Sequence, residues 1–367
     1  MANYRYIFAD LLTNKVNMEL PLFGVTFNRI INQPGNFQGF FALGNEGLSD
    51  QDILDATLPG RTAIYVERTN SAGDSDLIWG GILWSRTWQE QALSMQFTGQ
   101  TFESFFYKED IRSTIVYVNV DQRNVLRNLI TAMQAYAYRN IGITVPSAFA
   151  NSILRSVTFN NYEVWTFGKA IEYMIEYDQG FDYTIECRYD TNGNPSKTLR
   201  TDNVLGSPID TSQLVFDYPG SIKNFWLPEN AAKGATTVHG IGAGEGSAMP
   251  RIVQTNQHLL DVGYPELVEV YTNKDVTIAN TLASQTVAAL AQLTVPISVP
   301  TFEINPSQEP EFGSYSLGDY AKFNIESKRY PGGKVLSSRI LGWDVSPTES
   351  DNQENVKLVI EGEDSGV

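Results

Sequence analysis

The stretch LIWGGILWSRTWQEQALSMQFTGQ, residues 77–100, decides the fold. Apolar and aromatic residues dominate 77–88, Glu90 and Gln91 interrupt them, and apolar residues recur over 92–100. Two β-prone runs joined by a short polar connection predict an antiparallel hairpin. Upstream, Tyr4, Tyr6 and Phe8 alternate with Arg5, Ile7 and Ala9, the period of two expected of a strand. VTFNRI (25–30), FQGFFAL (37–43) and TAIYVER (62–68) follow between Gly, Pro and Asn punctuation. One short helix is expected within DQDILDATLPG (50–60). Strands of this length, spaced by turns, argue for a closed or nearly closed antiparallel barrel or a sandwich.

The middle of the chain has a different period. Val125, Leu126, Leu129, Ile130, Met133 and Ala137 recur at three- and four-residue steps, which predicts an amphipathic helix over 121–138. A second helix is predicted over 166–177, with Phe167, Ala170, Ile171, Met174 and Ile175 on its buried side. GFDYTIECRYD (180–190) returns to strand, and TNGNPSKT (191–198) reads as a turn-rich loop. Helix, helix and strand suggest a compact α/β unit. Beyond it, 236–242 and 266–272 read as strands and 275–293 as a helix. The proline-rich VPISVPTFEINPSQEP reads as an edge segment. DYAKFNIES, KVLSSRILGWDVSPTES and ENVKLVIEGED complete a second β set.

A weak repeat links the two β regions. With Trp84 set over Trp343, Glu67 falls on Glu326, Gly73 on Gly332 and Leu77 on Leu336, and TAIYVER lies over AKFNIES. Both copies continue through a Trp-bearing strand, a polar turn and a last strand. Two similar β units in one chain suggest a ring in which each subunit fills two similar places.

Composition limits the chemistry. At 367 residues, with 42% hydrophobic and 19% charged, the chain has material for more than one core. Its net charge of −16 repels phosphate backbones, which argues against sequence-reading nucleic-acid binding and against adhesion to an anionic membrane. An acidic wall still suits a passage through which DNA slides without sticking. The lone Cys187 permits no disulfide within the chain and reads as a small buried hydrophobe. The N-terminus lacks a basic region followed by an apolar core, and no apolar run is long enough to span a bilayer, so a soluble protein made in a cytoplasm is expected.

VHGIGAGEGSAMP (238–250) places glycines at every second position, Gly240 to Gly246. A dinucleotide fingerprint needs G-x-G-x-x-G before a helix, but Glu245 stands where the third glycine belongs and Pro250 follows. No G-K-[ST] triplet makes a Walker loop. A mobile loop leaving a strand is the better reading. His239 and His258 match no metal motif, and no G-x-S-x-G elbow is present. DQDILD and EGED read as solvated acidic faces, and WTFGKAIEYMIEYD as helix core rather than a sugar platform. No catalytic, cofactor or metal residue is predicted, and no enzyme activity.

Several segments together resemble the minor tail proteins of actinobacterial long-tailed phages. These are Leu20, Pro21, Leu22, Gly24, Val25 and Phe27, then Gly35, Phe37 and Gly39, then PGRTAIYVER…LIWGGILWSR (59–86), FTGQTFESFFYKEDI (97–111) and GIGAGEGSA (241–248). Such proteins are similar to the phage tail (baseplate) hub family. The resemblance implies an α+β, β-rich fold: two tube-type antiparallel β-barrel domains with an α/β domain between them and a smaller inserted domain. Expected bounds are 1–112 for the first barrel, 113–210 for the α/β domain, 211–245 with 300–367 for the second barrel, and 246–299 for the insert. It further implies a homotrimer forming a pseudo-sixfold ring at the distal end of the tail. The ring contacts a distal tail protein ring, the tape-measure protein C-terminus and tip fibre or spike proteins, while DNA passes the lumen unbound. Because the second β set runs close to Val367, any hydrolase is expected on a partner. The alternative is a receptor- or glycan-binding tail protein of β-sandwich type.

Overall fold

The computed structural model describes residues 2–43, 49–208, 214–232, 234–293, 299–347 and 354–362. Its first region contains β1 (Asn3–Asp10), β2 (Val16–Glu19), β3 (Phe23–Ile30), β4 (Asn36–Ala42), α1 (Asp50–Ala56), β5 (Thr62–Thr69), β6 (Ser75–Gln89) and β7 (Ser94–Thr101). The predicted hairpin is β6–β7, with Gln89 opposite Ser94 across the turn.

The middle region contains β8 (Ile115–Asp121), α2 (Gln122–Gln134), β9 (Ile143–Thr144), β10 (Leu154–Phe159), α3 (Phe167–Ile175), β11 (Asp182–Tyr189) and β12 (Pro195–Asp202). The Asp121 carboxylate starts α2 by accepting from the Arg123 amide, and Val125, Leu126, Leu129, Ile130 and Met133 form its buried face. β12 begins inside the stretch read as a loop. The turn itself is short, with Asp190 accepting from the amides of Asn192 and Asn194.

Two strands missing from the sequence reading follow, β13 (Val215–Tyr218) and β14 (Ile222–Trp226). Next come β15 (Thr237–Ile241), β16 (Arg251–Thr255), α4 (Gln257–Asp261), β17 (Val268–Thr272) and α5 (Ala279–Gln292). The chain then adds β18 (Thr301–Ile304), β19 (Tyr320–Ile325), β20 (Lys334–Pro347) and β21 (Glu354–Ile360). With 44% strand and 17% helix, the fold is α+β and β-rich.

Thirteen strands share one sheet, ordered β14-β18-β21-β20-β3-β4-β7-β6-β5-β1-β2, with β19 and β13 branching from β20. β18 sits between β14 and β21, not on the edge that its prolines suggested. Pro300 and Pro306 fall just outside the four-residue strand, so its ladder loses no donor.

Two cores lie on opposite faces of the first region's strands. Phe8, Ile64, Val66 and Leu83 point into one, and Ile7, Ala63, Tyr65 and Ile82 into the other, which is shared with α2 and α3. This double burial explains why TAIYVER reads as nearly continuous apolar sequence. In the other half of the sheet, Phe323 stacks between Phe302 and Phe216, at 4.3 and 5.3 Å between ring centroids.

The repeat is visible in the strand order. The series β3-β4-β7-β6-β5-β1 is matched by β14-β18-β21-β20-β19-β13, although β1 pairs antiparallel with β5 and β13 parallel with β19. Register, however, differs from the letter match. A bulge lies between Leu83 and Ser85 in β6, and between Ile340 and Gly342 in β20. The Leu83 carbonyl accepts from Gly60 as the Ile340 carbonyl accepts from Gly318. Trp84 therefore corresponds to Leu341, and Arg86 to Trp343.

Candidate functional site at the seam of the sheet

Among the described residues, a set of polar groups gathers where the two β series meet. There β20 pairs antiparallel with β3, Gly342 opposite Ile30, Trp343 opposite Arg29, Asp344 opposite Asn28 and Val345 opposite Phe27. The Ile31 amide donates to the Leu341 carbonyl at 2.9 Å. A Cβ on Gly342 would meet the Arg29 carbonyl at 2.7 Å, so the close approach of the strands requires glycine. The seam leaves Trp343 5% and Val345 1% exposed.

Side chains from three regions lock this joint. Arg29 lies 5.7 Å from the Trp343 ring and donates to Thr184 Oγ1 and the Ile185 carbonyl, both at 3.0 Å. Asn32 donates to Asp182 Oδ1 at 3.1 Å, and Arg339 joins Asp182 at 2.6 Å and Glu361 at 3.0 Å. β11 thus acts as a strap across the β3–β20 junction. On another side, Arg68 of β5 binds both oxygens of Glu354 on β21 and donates to the Phe312 carbonyl at 2.7 Å. Tyr4 donates to the same carboxylate. Burial, then the Glu354 charge, pushes the Tyr4 phenol far above its ordinary range, so it stays a donor.

The residues weighed from sequence do not converge. Gly240 lies inside β15, where an added Cβ would meet Thr286 Oγ1 of α5 at 2.0 Å. The Gly242 amide donates to the Pro250 carbonyl, and Ala243 to Val276. Gly240 thus belongs to the strand read over 236–242, where α5 leaves no room for a side chain, and a loop leaves that strand through Gly244 and Gly246. His239 Nδ1 lies 2.6 Å from Arg251 Nη2 across β15–β16, and His258 lies in α4. Among the described residues, no three His, Cys, Asp or Glu side chains gather as a metal set. Cys187 is buried as expected, and burial raises its thiol to about 12. DQDILD spans most of α1, while the end of EGED lies outside the described residues.

α3 divides its side chains between two roles. Phe167, Ala170, Ile171 and Met174 enter the core, whereas Tyr173, with Trp165 and Tyr177 flanking the helix, lines an open groove beside β8, β10 and the segment before α5. Trp165 and Tyr177 each meet Tyr173 edge to face, at 5.6 and 5.5 Å, so these rings are engaged with one another rather than offered flat to a sugar. Among the described residues, no helix is long and apolar enough to cross a membrane.

No family model and no curated protein matches this sequence. Solved structures do. A tail protein from Neisseria meningitidis MC58 superposes with a TM-score of 0.60 at 10% identity, over 98% of this chain and 97% of that one. The 43 kDa tail protein of prophage MuSo2 from Shewanella oneidensis gives 0.58 at 8% identity, over 97% and 98%. A chain of the half-lidded Francisella PdpA–VgrG complex gives 0.58 at 9% identity, covering 100% of this chain and 59% of that one. Over nearly its whole length, therefore, the chain has the fold of phage tail proteins.

Proposed function

We propose that the chain is a structural hub of a long-tailed bacteriophage, three copies of which close the distal end of the tail tube. The observation that carries this reading is the β3–β20 ladder. It joins two β units of matching strand order side by side within one chain, as neighbouring places in a ring must be joined. Three copies supply six such places, which fits a sixfold tail tube above and a threefold tip below. The units are tube-type barrels at 1–112 and at 211–245 with 300–367, an α/β domain at 113–210 and an insert at 246–299. One adjustment is made: β15 goes with the insert, because it pairs with β16 and β17.

In this reading the hub contacts a distal tail protein ring, the tape-measure C-terminus and tip fibres or a spike. DNA passes an acidic lumen without binding, in keeping with the net charge of −16. The role is mechanical, not enzymatic. Sedimentation velocity of the chain with the distal ring protein of the same virion tests it. A complex of one trimer per ring is expected, and two species sedimenting independently would refute the hub role.

A further inference from the structure

Resting on the ring reading, the internal repeat specifies how one copy meets the next. One row of paired residues crosses the first β unit as Ser85–Thr98–Gln38–Thr26. The corresponding row of the second unit is Gly342–Val359–Thr301–Trp226. The strand that seals the seam in the second unit, β20, thus has β6 as its counterpart, and β3 has β14. Carried along the strands, Trp343 and Val345 correspond to Arg86 and Trp88, and Phe27 and Arg29 to Leu227 and Glu229.

Both counterparts are open. Trp88 is 45% exposed where Val345 is 1% exposed, and Ser85 and Thr87 are exposed. Among the described strands β14 has one sheet neighbour, β18, and Leu227, Pro228 and Glu229 continue beyond it outside any strand, up to a bridge at Asn230. Such edges invite pairing with another chain.

We propose that residues 86–88 of one copy pair antiparallel with residues 227–229 of a second copy, in the register of the β20–β3 seam. Thr87 then faces Pro228, Trp88 faces Leu227, and Arg86 faces Glu229. The chemistry is complementary at these three positions, and Ser85, standing where the internal seam requires Gly342, marks the end of the close pairing. Trp88 covers Leu227, and Arg86, whose Nη1 donates to the Leu54 and Thr57 carbonyls at the end of α1, brings its charge to Glu229 where the internal seam has Arg29 against Trp343. Among the described residues, Glu229 otherwise meets Arg329 at the surface, 3.6 Å apart with both side chains about two-thirds exposed. Pro228 also fits. Because Ile31 donates to Leu341, the seam bonds are exchanged at the Arg29–Trp343 and Phe27–Val345 pairs. A proline in the place of Asn28 has its missing N–H turned away from the partner. The contact is heterologous, edge of β6 to end of β14, so repeating it generates a ring when the rotation closes.

The test uses the full chain carrying Thr87→Cys with Pro228→Cys, a non-hydrogen-bonded pair whose Cβ atoms approach closely enough for a disulfide. Oxidation with copper–phenanthroline is expected to give covalent trimers, about tenfold more than Thr87→Cys with Asn224→Cys, whose Cα atoms the register holds too far apart. Glu229→Arg and Trp88→Glu should each weaken the trimer while leaving the monomer's unfolding midpoint unchanged. Sedimentation separates the failures. Trimers that form without the disulfide would overturn this seam and leave the ring, whereas monomers throughout would overturn both.

Discussion

Lys197 and Cys187 share a buried pocket behind the first β unit and pull its pH dependence in opposite directions. Lys197 Nζ sits 4.7 Å from the Phe102 ring centroid and donates to the Ile141 carbonyl at 2.5 Å, and burial lowers its pKa to about 8. The unfolded chain therefore takes up this proton first as pH falls from about 10.5, and stability drops until the folded lysine also titrates. Cys187 is the reverse case. Its folded thiol, raised to about 12, keeps a proton that the unfolded chain loses near 8.5, so stability falls as pH rises above that value. The two slopes oppose each other over about pH 8.5–10. Urea unfolding across that window should show stability rising with pH in Cys187→Ala and falling in Lys197→Met. Parallel slopes in both variants would contradict the assignment.

Glu354 is the residue on which the β5–β21 connection turns. Its side chain is 3% exposed and that of Arg68 4%, so Glu354→Ala strands a buried guanidinium and should cost about 3–5 kcal/mol in chemical denaturation. A loss below about 1 kcal/mol, as for a surface pair, would show that the site is solvated. Neither partner stands out in the sequence. RTAIYVERT reads as a strand without saying that Arg68 turns inward, since alternation reveals two faces but not which of them a distant strand will cover. Cys187 was legible because an isolated cysteine on a strand has few other roles.

Among the elements, those with a clear period were readable. The β6–β7 hairpin and helices α2 and α3 follow from residue spacing alone. β13 and β14 were missed because four or five residues with mixed polarity carry almost no periodic signal. The prolines around β18 suggest an edge in the letters, but they flank the strand rather than interrupt it. The repeat was found two residues out of register, since matching tryptophans outweighed a bulge that leaves no trace in the letters. The letters of the glycine stretch show the strand and the loop leaving it but not the close approach of α5 to Gly240. Gly240→Val should therefore clash with Thr286 and loosen the β15–β17 sheet and α5. Hydrogen exchange should quicken there by at least about tenfold, with β3 through β7 unchanged. Uniform protection across the insert would mean that α5 does not rest on β15.

At the scale of the whole molecule, one chain supplies two β units, a strap that fixes their joint and, among the described residues, strand edges open at matching places. The strap is unequal in a useful way. Within the chain, Arg29, Asn32, Asp182 and Arg339 lock the seam through β11. The proposed seam between copies has main-chain bonds and a few side chains, so it can open while the internal one holds. The sequence reached a β-rich chain with two similar β regions from pattern, and its tail-protein character from resemblance. The joint itself was invisible there, because it depends on residues more than 300 positions apart meeting across β3 and β20. Electron microscopy of the purified chain at micromolar concentration tests the ring directly. Threefold particles with a central hole and six similar lobes of density around it are expected; compact monomers, or trimers without a hole, would contradict it.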